Sequence, residues 1–525
     1  MDERRLPIGM QNFQDIRENH YVYVDKTEYL WKLVNNGKSY FLSRPRRFGK
    51  SLLISTIEAY FQGRKELFDG LAIGQYEKEW ISYPVIHFDL SYGEYTAENG
   101  LKDILEDTII QYIREYDLKG DYQVTGETLS IRFGSLIDQI YAKTGKKAVV
   151  LVDEYDSPLL ETMNSPMMEE KNRNLYRPFF KTLKAKDAKL RFVFFTGVTK
   201  FSKISVFSDM NQLNDISMDD EFSGICGITE KELFSAFEPE IRQMATAQKQ
   251  TTRECIACLK RMYDGYHFSK YGIDVYNPFS VLNAFFKKDY GSYWFSSGTP
   301  EFLIQKLMHS DFSAEDFSEG VDADETELSD YRPENTNPVP LFYQTGYLTI
   351  DGYDPKFRTY HLKFPDKEVK DGFIKNLVPY VLGQADAEND LSLKKITMDL
   401  QNGDIDSSME RMRALFARIS YPEGSAPVYE REWRNQIFLI FSLLGLNVEC
   451  EVHSAGGRAD CVVETDQYVY IFEYKLDQSC DKALKQMKDK GYALPYAKDH
   501  RKVFLIGVSF SSKIRNIAEW KIRKM

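Results

Sequence analysis

Gly49, Lys50 and Ser51 close the basic run Arg44-Pro45-Arg46-Arg47-Phe48, with apolar Tyr40-Phe41-Leu42 before it and an apolar helical stretch from Leu52 after it. A strand that passes through such a loop into a helix N-terminus turns backbone N–H groups toward an anion. It also offers a lysine to terminal phosphates and a hydroxyl to Mg²⁺. The pattern G-x-x-x-x-G-K-[ST] asks for glycine where this chain has Arg44. A glycine there lets the backbone turn close to phosphate, and Arg44 gives that up. Arg44, Arg46 and Arg47 supply positive charge where an anion would need it. The plainer reading of the same residues is an ordinary basic strand-to-helix loop.

About a hundred residues later, Val149-Val150-Leu151-Val152 runs into Asp153-Glu154-Tyr155-Asp156. Acids at the end of a buried strand stand at the edge where open α/β sheets bind ligands. Asp153 would hold Mg²⁺, directly or through water, and Glu154 would polarise an attacking water. Thr196 ends the next apolar strand and suits a γ-phosphate sensor (Thr199 less well); a strand-terminal turn residue is the equal alternative.

A second group lies near the C-terminus: Gly457-Arg458-Ala459-Asp460, then Glu473-Tyr474-Lys475. Residues i and i+2 of a strand share a face, so Glu473 and Lys475 point the same way. Two carboxylates, Asp460 and Glu473, can ligate Mg²⁺ while a neighbouring lysine orients or deprotonates water. Acids and a lysine inside the apolar run Val469-Tyr470-Ile471-Phe472 are costly unless paired or bound to metal. A structural ion pair is therefore the competing reading. Upstream, Glu430 falls on the helix face of Trp433, Ile437 and Phe441, which suits a third metal carboxylate as well as a plain helix-end acid.

These groups need elements to carry them. The 525 residues exceed one core and suggest several units. Apolar strands are expected at 85–90, 147–154 and 190–197 with helical stretches between, which means a parallel sheet covered on both faces. From 230 to 420 the pattern is mostly helical. Asp311 to Asp330 carries nine acidic and no basic residues and reads as a solvated surface connection. The last hundred residues read as a helix, three short strands, the helix Asp481–Lys490 and a strand at 503–508. Net charge is −11, yet residues 471–525 hold 13 Lys/Arg against 6 Asp/Glu, so a nucleic-acid contact would use a local patch. The six cysteines show no paired framework, which fits a reducing compartment, and the lone Cys255-x-x-Cys258 reads as helix packing. No signal-like or membrane-spanning apolar run is present, and a cytoplasmic protein is expected.

Tyr23-Val24-Asp25-Lys26-Thr27, the loop 44–51, Asp153 to Asp156 and Thr196 to Lys203 together resemble the AAA-ATPase-like family of bacterial proteins. Asn211 to Ile216 and Tyr263 to Phe268 extend the similarity over roughly residues 1–300. Arginine at the first loop position is usual in that family. The resemblance implies ATP and Mg²⁺ held by Arg44, Pro45, Arg46, Arg47, Phe48, Gly49, Lys50, Ser51, Leu52, Asp153 and Thr196, with Glu154 catalytic. It leaves the arginine finger open among Arg173, Arg177 and Arg191. The helical Glu430 followed by Asp460-x₁₂-Glu473-x-Lys475 resembles the PD-(D/E)XK nuclease superfamily over about 420–515. That resemblance also marks Gln486 as supporting the site.

The expected chain is α/β, with a P-loop domain at 1–230, a mostly helical middle at 231–415 and a restriction-endonuclease-like domain at 416–525. Its expected activity is ATP-gated, Mg²⁺-dependent cleavage of nucleic acid, DNA first, with homo-oligomers left open. The contrasting expectation is a nucleotide-dependent switch whose C-terminal domain binds nucleic acid or protein without cutting.

Overall fold

In the computed structural model, the apolar runs form the strands β1 (Ser39–Ser43), β2 (Val85–Asp89), β3 (Ala148–Asp153), β4 (Leu190–Gly197) and β5 (Asn214–Asp215). All pair in parallel, in the order β2-β3-β4-β1-β5. Every residue of β1 and β3 is buried, as a sheet covered on both faces requires. The register aligns Ser43 with Gly197 and Asp89 with Asp153, so the strand C-termini finish along one edge. The structure describes residues 4–200, 212–295, 301–308, 310, 312–329, 337–382, 387–417, 430–443, 447–454 and 457–525. The expected motif positions Phe201 to Lys203, Asn211 and Tyr429 lie outside them.

The chain divides into two units, Met1–Ser297 with Val321–Glu368, and Gly298–Gly320 with Val369–Met525. The parallel sheet belongs to the first. That unit also contains the ribbon β6 (Ile228–Thr229) and β7 (Val275–Tyr276), and the sheet β8 (Val321–Asp324), β9 (Thr349–Asp354) and β10 (Thr359–Lys363). The acidic stretch, expected as a surface connection between units, crosses from the second unit to the first at 320/321, but as a helix and a strand where a solvated loop was expected. Its helix Ala314–Glu319 lies in the second unit, and β8 pairs antiparallel with β10 in the first. Val321-Asp322-Ala323-Asp324 alternates, so Ala323 is buried while the aspartates stay in water, as an edge strand allows. Cys255 and Cys258 share the helix Thr252–Tyr263, with Cys255 in its core.

The second unit contains β11 (Asn447–Ser454), β12 (Gly457–Glu464), β13 (Tyr468–Leu476), β14 (Lys502–Ser511) and β15 (Asn516–Lys524), in that spatial order. β13 and β14 are parallel and the other pairs antiparallel. The helix Cys480–Lys490 covers one face, packing Leu484 and Met487 against Val462, Val469, Ile471 and Leu505. Gly507 lets it lie close: a Cβ there would stand 2.7 Å from the carbonyl oxygen of Cys480. The helix Glu430–Leu443 packs on the opposite face, where the Phe441 and Phe472 rings lie 5.2 Å apart. Among the described residues no helix is long and apolar enough to cross a membrane.

Candidate functional site

The loop after β1 enters the helix Lys50–Phe61 through Gly49, whose φ of 91° is left-handed and whose missing Cβ leaves open space. A side chain there would fill the cradle that an anion needs. Lys50 is 3% exposed and donates to the carbonyl oxygens of Arg44 and Pro45 at 3.2 and 3.3 Å. Its Nζ also lies 3.1 Å from Glu154 Oε1. Glu154 adopts a left-handed φ of 50°, a turn that swings its carboxylate from the end of β3 toward the lysine. Asp153 is buried and accepts from the Thr196 hydroxyl, which reaches across from the intervening strand β4. Burial, then the charge of Glu154, raises the Asp153 carboxyl above its usual range, while Ser51, Thr196 and Lys50 pull it down. A cavity of about 570 Å³ opens over this edge, lined by Arg46 to Leu53, Glu154 and an apolar wall that includes Val24 and Phe279.

Lys50, Ser51, Asp153, Glu154 and Thr196 therefore converge as the spacing implied. This buried cation, hydroxyl and paired acids, beside a glycine cradle, fit a nucleotide with a divalent cation. Arg44 departs from its expected place. Its guanidinium is 1% exposed, donates to the carbonyl oxygens of Ser43, Ser217 and Phe222, and lies 4.2 Å from the Phe268 ring centre. The interior carbonyls around residues 217–222 need a donor, and a fork of N–H groups supplies it. Arg46 and Arg47 line the cavity. Of the finger candidates, Arg191 sits at the opposite, N-terminal end of β4, where it donates to the Val34 carbonyl, and Arg173 is ion-paired with Glu169.

Asp156, within the motif 153–156, had no expected role. Fully buried, its carboxylate accepts from the N–H groups of Val198 and Thr199 and from the Thr199 hydroxyl at 2.7 Å, fixing the turn after Thr196. Burial, then the charge of Glu154, pushes its carboxyl up to about 6. The signal was a third acid two residues beyond the expected pair.

In the second unit, the ladder between β12 and β13 runs from Glu464↔Val469 to Cys461↔Phe472, and the same register continued sets Asp460 opposite Glu473. There Asp460 Oδ2 takes the N–H of Tyr474 at 2.7 Å in place of a ladder partner. Glu473, 1% exposed, lies 2.7 Å from Lys475 Nζ on the face covered by the helix Cys480–Lys490. Gln486 on that helix donates to the Tyr492 hydroxyl at 3.1 Å. Burial raises Tyr492 above its ordinary value, and Glu473 and Asp460 raise it further while Lys475 lowers it, so this phenol lies within reach of all three charges. Tyr492 was not expected; a tyrosine six residues beyond Gln486, just past the helix end, is its only trace in the sequence. Glu430 opens the helix on the sheet's other face, and its side chain lies outside the described residues. Among the described residues no group of three His, Cys, Asp or Glu is arranged to hold a metal. The acid pair with its lysine still has the donor chemistry for a hard divalent cation with retained waters.

Residues 7–207 match a family model described as predicted AAA-ATPase, and residues 428–520 match the PD-(D/E)XK nuclease superfamily. A protein of Azotobacter chroococcum mcd 1, named "Uncharacterized protein in vnfD 5'region", is 34% identical over 537 residues, with 100% of each chain covered. Its full-length match and the two domain models, set beside the loop at Lys50 and the acids at Asp460 and Glu473, assign the family: the chain belongs to the predicted AAA-ATPases that carry a C-terminal PD-(D/E)XK nuclease superfamily domain.

Proposed function

We propose that the protein binds and hydrolyses ATP with Mg²⁺ in its first unit, and that this gates Mg²⁺-dependent hydrolysis of nucleic-acid phosphodiesters, DNA first, in its second. One observation carries the reading: each unit sets a lysine of low exposure, 3% for Lys50 and 14% for Lys475, against a carboxylate beside a second acid, Lys50–Glu154 at 3.1 Å with Asp153 and Lys475–Glu473 at 2.7 Å with Asp460. In the first unit Lys50 and the loop N–H groups would hold the phosphates, and Ser51 and Asp153 the cation. Glu154 would orient water and take its proton as the water oxygen bonds to the γ-phosphorus and the bond from that phosphorus to the β–γ bridging oxygen breaks, releasing ADP. In the second, Asp460 and Glu473 would hold the cation, with Glu430 a third candidate. Lys475 would steady the charge on the phosphate, and Gln486 would hold Tyr492 at the site's border. The bound cation supplies Lewis-acid polarisation of the phosphoryl oxygens and a more acidic water.

The test is cleavage of duplex and single-stranded DNA and RNA with Mg²⁺, with and without ATP, by wild type, Lys50→Ala and Lys475→Ala. Cleavage lost in Lys475→Ala and made ATP-independent or abolished in Lys50→Ala is the expected result. Nucleic-acid binding without cleavage by the wild type on any substrate would favour the switch reading, in which the lysine–carboxylate pair of the second unit is a structural ion pair.

A further inference from the structure

The phosphate loop stores strain at a residue other than glycine. Arg47 has a φ of 70°, in the left-handed region that L side chains resist, two residues before Gly49 does the same at 91°. A loop that cradles an anion must turn its N–H groups inward and its carbonyls outward. The peptide joining Arg46 to Arg47 is the one most prone to flip, because flipping would return Arg47 to a relaxed backbone. Something outside the loop has to hold it.

That something is visible in the residues packed on the loop's outer side. The indole Nε1 of Trp294 donates to the Arg46 carbonyl oxygen at 3.1 Å. Trp294 is 6% exposed, and its ring is wedged against Phe295 and Tyr347 with centroids 5.2 and 5.1 Å away. Its own N–H donates to Glu368 Oε1 at 2.6 Å, so both ends of the residue are anchored. On the next residue the Arg47 guanidinium lies over the Phe279 ring, 4.4 Å from its centre.

We propose that Trp294 is a positioning residue for the phosphate loop: its indole N–H holds the Arg46 carbonyl outward and so keeps Arg47 in the left-handed backbone that a glycine would adopt unaided. The inference deepens the nucleotide-binding reading and rests on it for the ligand, while the loop geometry stands without it. Trp294 does not line the cavity and acts through the Arg46–Arg47 peptide.

The experiment compares Trp294→Phe, which keeps a ring and removes the donor, in two backgrounds, Arg47→Ala and Arg47→Gly. Both backgrounds lack the guanidinium and differ in their tolerance of positive φ. ATP affinity with Mg²⁺ is measured by calorimetry, and amide hydrogen exchange of residues 44–51 is measured without nucleotide. In the alanine background, Trp294→Phe should weaken ATP binding and speed exchange about five- to tenfold, the factor one buried hydrogen bond commands. In the glycine background it should change either by less than about twofold, because the restraint is no longer needed. Equal effects in both backgrounds, or none in either, overturn the proposal. Failure of the wild type to bind ATP would instead refute the nucleotide reading, and the exchange comparison would still decide the role of Trp294. If Trp294→Phe does not fold, as seen by its melting curve, the same pair is read in Glu368→Ala, which frees the Trp294 backbone N–H and so loosens the residue that carries the indole, and the same two outcomes apply.

Discussion

Replacing Asp156 by alanine should unpin the turn that ends in Thr199 while leaving the sheet beneath it intact. The carboxylate takes the N–H of Val198 at 3.0 Å, the N–H of Thr199 at 2.6 Å and the Thr199 hydroxyl at 2.7 Å, in a position closed to solvent. The hydroxyl can rotate to another acceptor, but the two N–H groups cannot. Orphaning two buried donors costs about 2–6 kcal/mol, at about 1–3 kcal/mol each. Relief of the buried charge offsets part of this, since burial already raises that carboxyl to about 6. A net loss of about 2 kcal/mol is expected. Gly197 tightens the constraint: a Cβ on it would stand 2.4 Å from Asp156 Oδ1, so the turn and the acid fit as one piece. Chemical denaturation gives the stability change, and hydrogen exchange gives the local one at Val198 and Thr199. ATP turnover should fall with them, because Thr196, whose hydroxyl bonds Asp153, begins the same turn. Unchanged stability together with unchanged protection at those two amides would refute the reasoning.

Glu154→Gln removes the negative partner of Lys50 and the proposed proton acceptor, so ATP turnover should drop by at least about 100-fold with affinity kept or tightened, read by steady-state hydrolysis and calorimetry. Lys475→Ala removes the cation 2.7 Å from a carboxylate that is 1% exposed, so the second unit should lose about 3 kcal/mol of stability in denaturation along with all cleavage. Gly507→Ala puts a methyl 2.7 Å from the Cys480 carbonyl and should cost about 1–3 kcal/mol by the same measure. Burial pushes the Glu368 carboxyl from an ordinary 4.5 up to about 7. The folded state then binds the proton that the unfolded chain has released. The stability it adds is full below about 4.5 and is lost as pH rises to about 7. Melting across pH 4.5 to 8 should show that decline, and Glu368→Gln should flatten it.

What could be read without coordinates was whatever followed from local pattern. The continuous apolar runs at Val149–Val152 and Phe192–Phe195 announced buried parallel strands, and the acids and glycines punctuating them announced the ligand edge. Glu473 and Lys475 shared a face because strand periodicity leaves no choice. Other features depend on partners distant in the chain. Arg44 looked like a phosphate ligand because nothing nearby reveals the carbonyls of residues 217–222 that claim it. Trp294 lies 248 positions from the carbonyl it holds, too far for any motif. β15 went unread because its exposed residues, Glu519, Lys521 and Arg523, give an edge strand the look of a charged tail. The acidic β8 hid in the same way, its core contact resting on the small side chain of Ala323.

The path of the chain between its two units has a practical result. It leaves the first at residues 297/298, returns at 320/321 and leaves again at 368/369. No single scissor point therefore releases either unit whole. A fragment stopping at residue 297 keeps the complete parallel sheet and Trp294 but forfeits β8, β9, β10 and Glu368, the residue that anchors that tryptophan. A fragment beginning at residue 369 lacks the excursion 298–320. Gene rearrangement can shuffle beads on a string, but here the two are braided, so natural exchange and laboratory chimaeras alike must move them as a set.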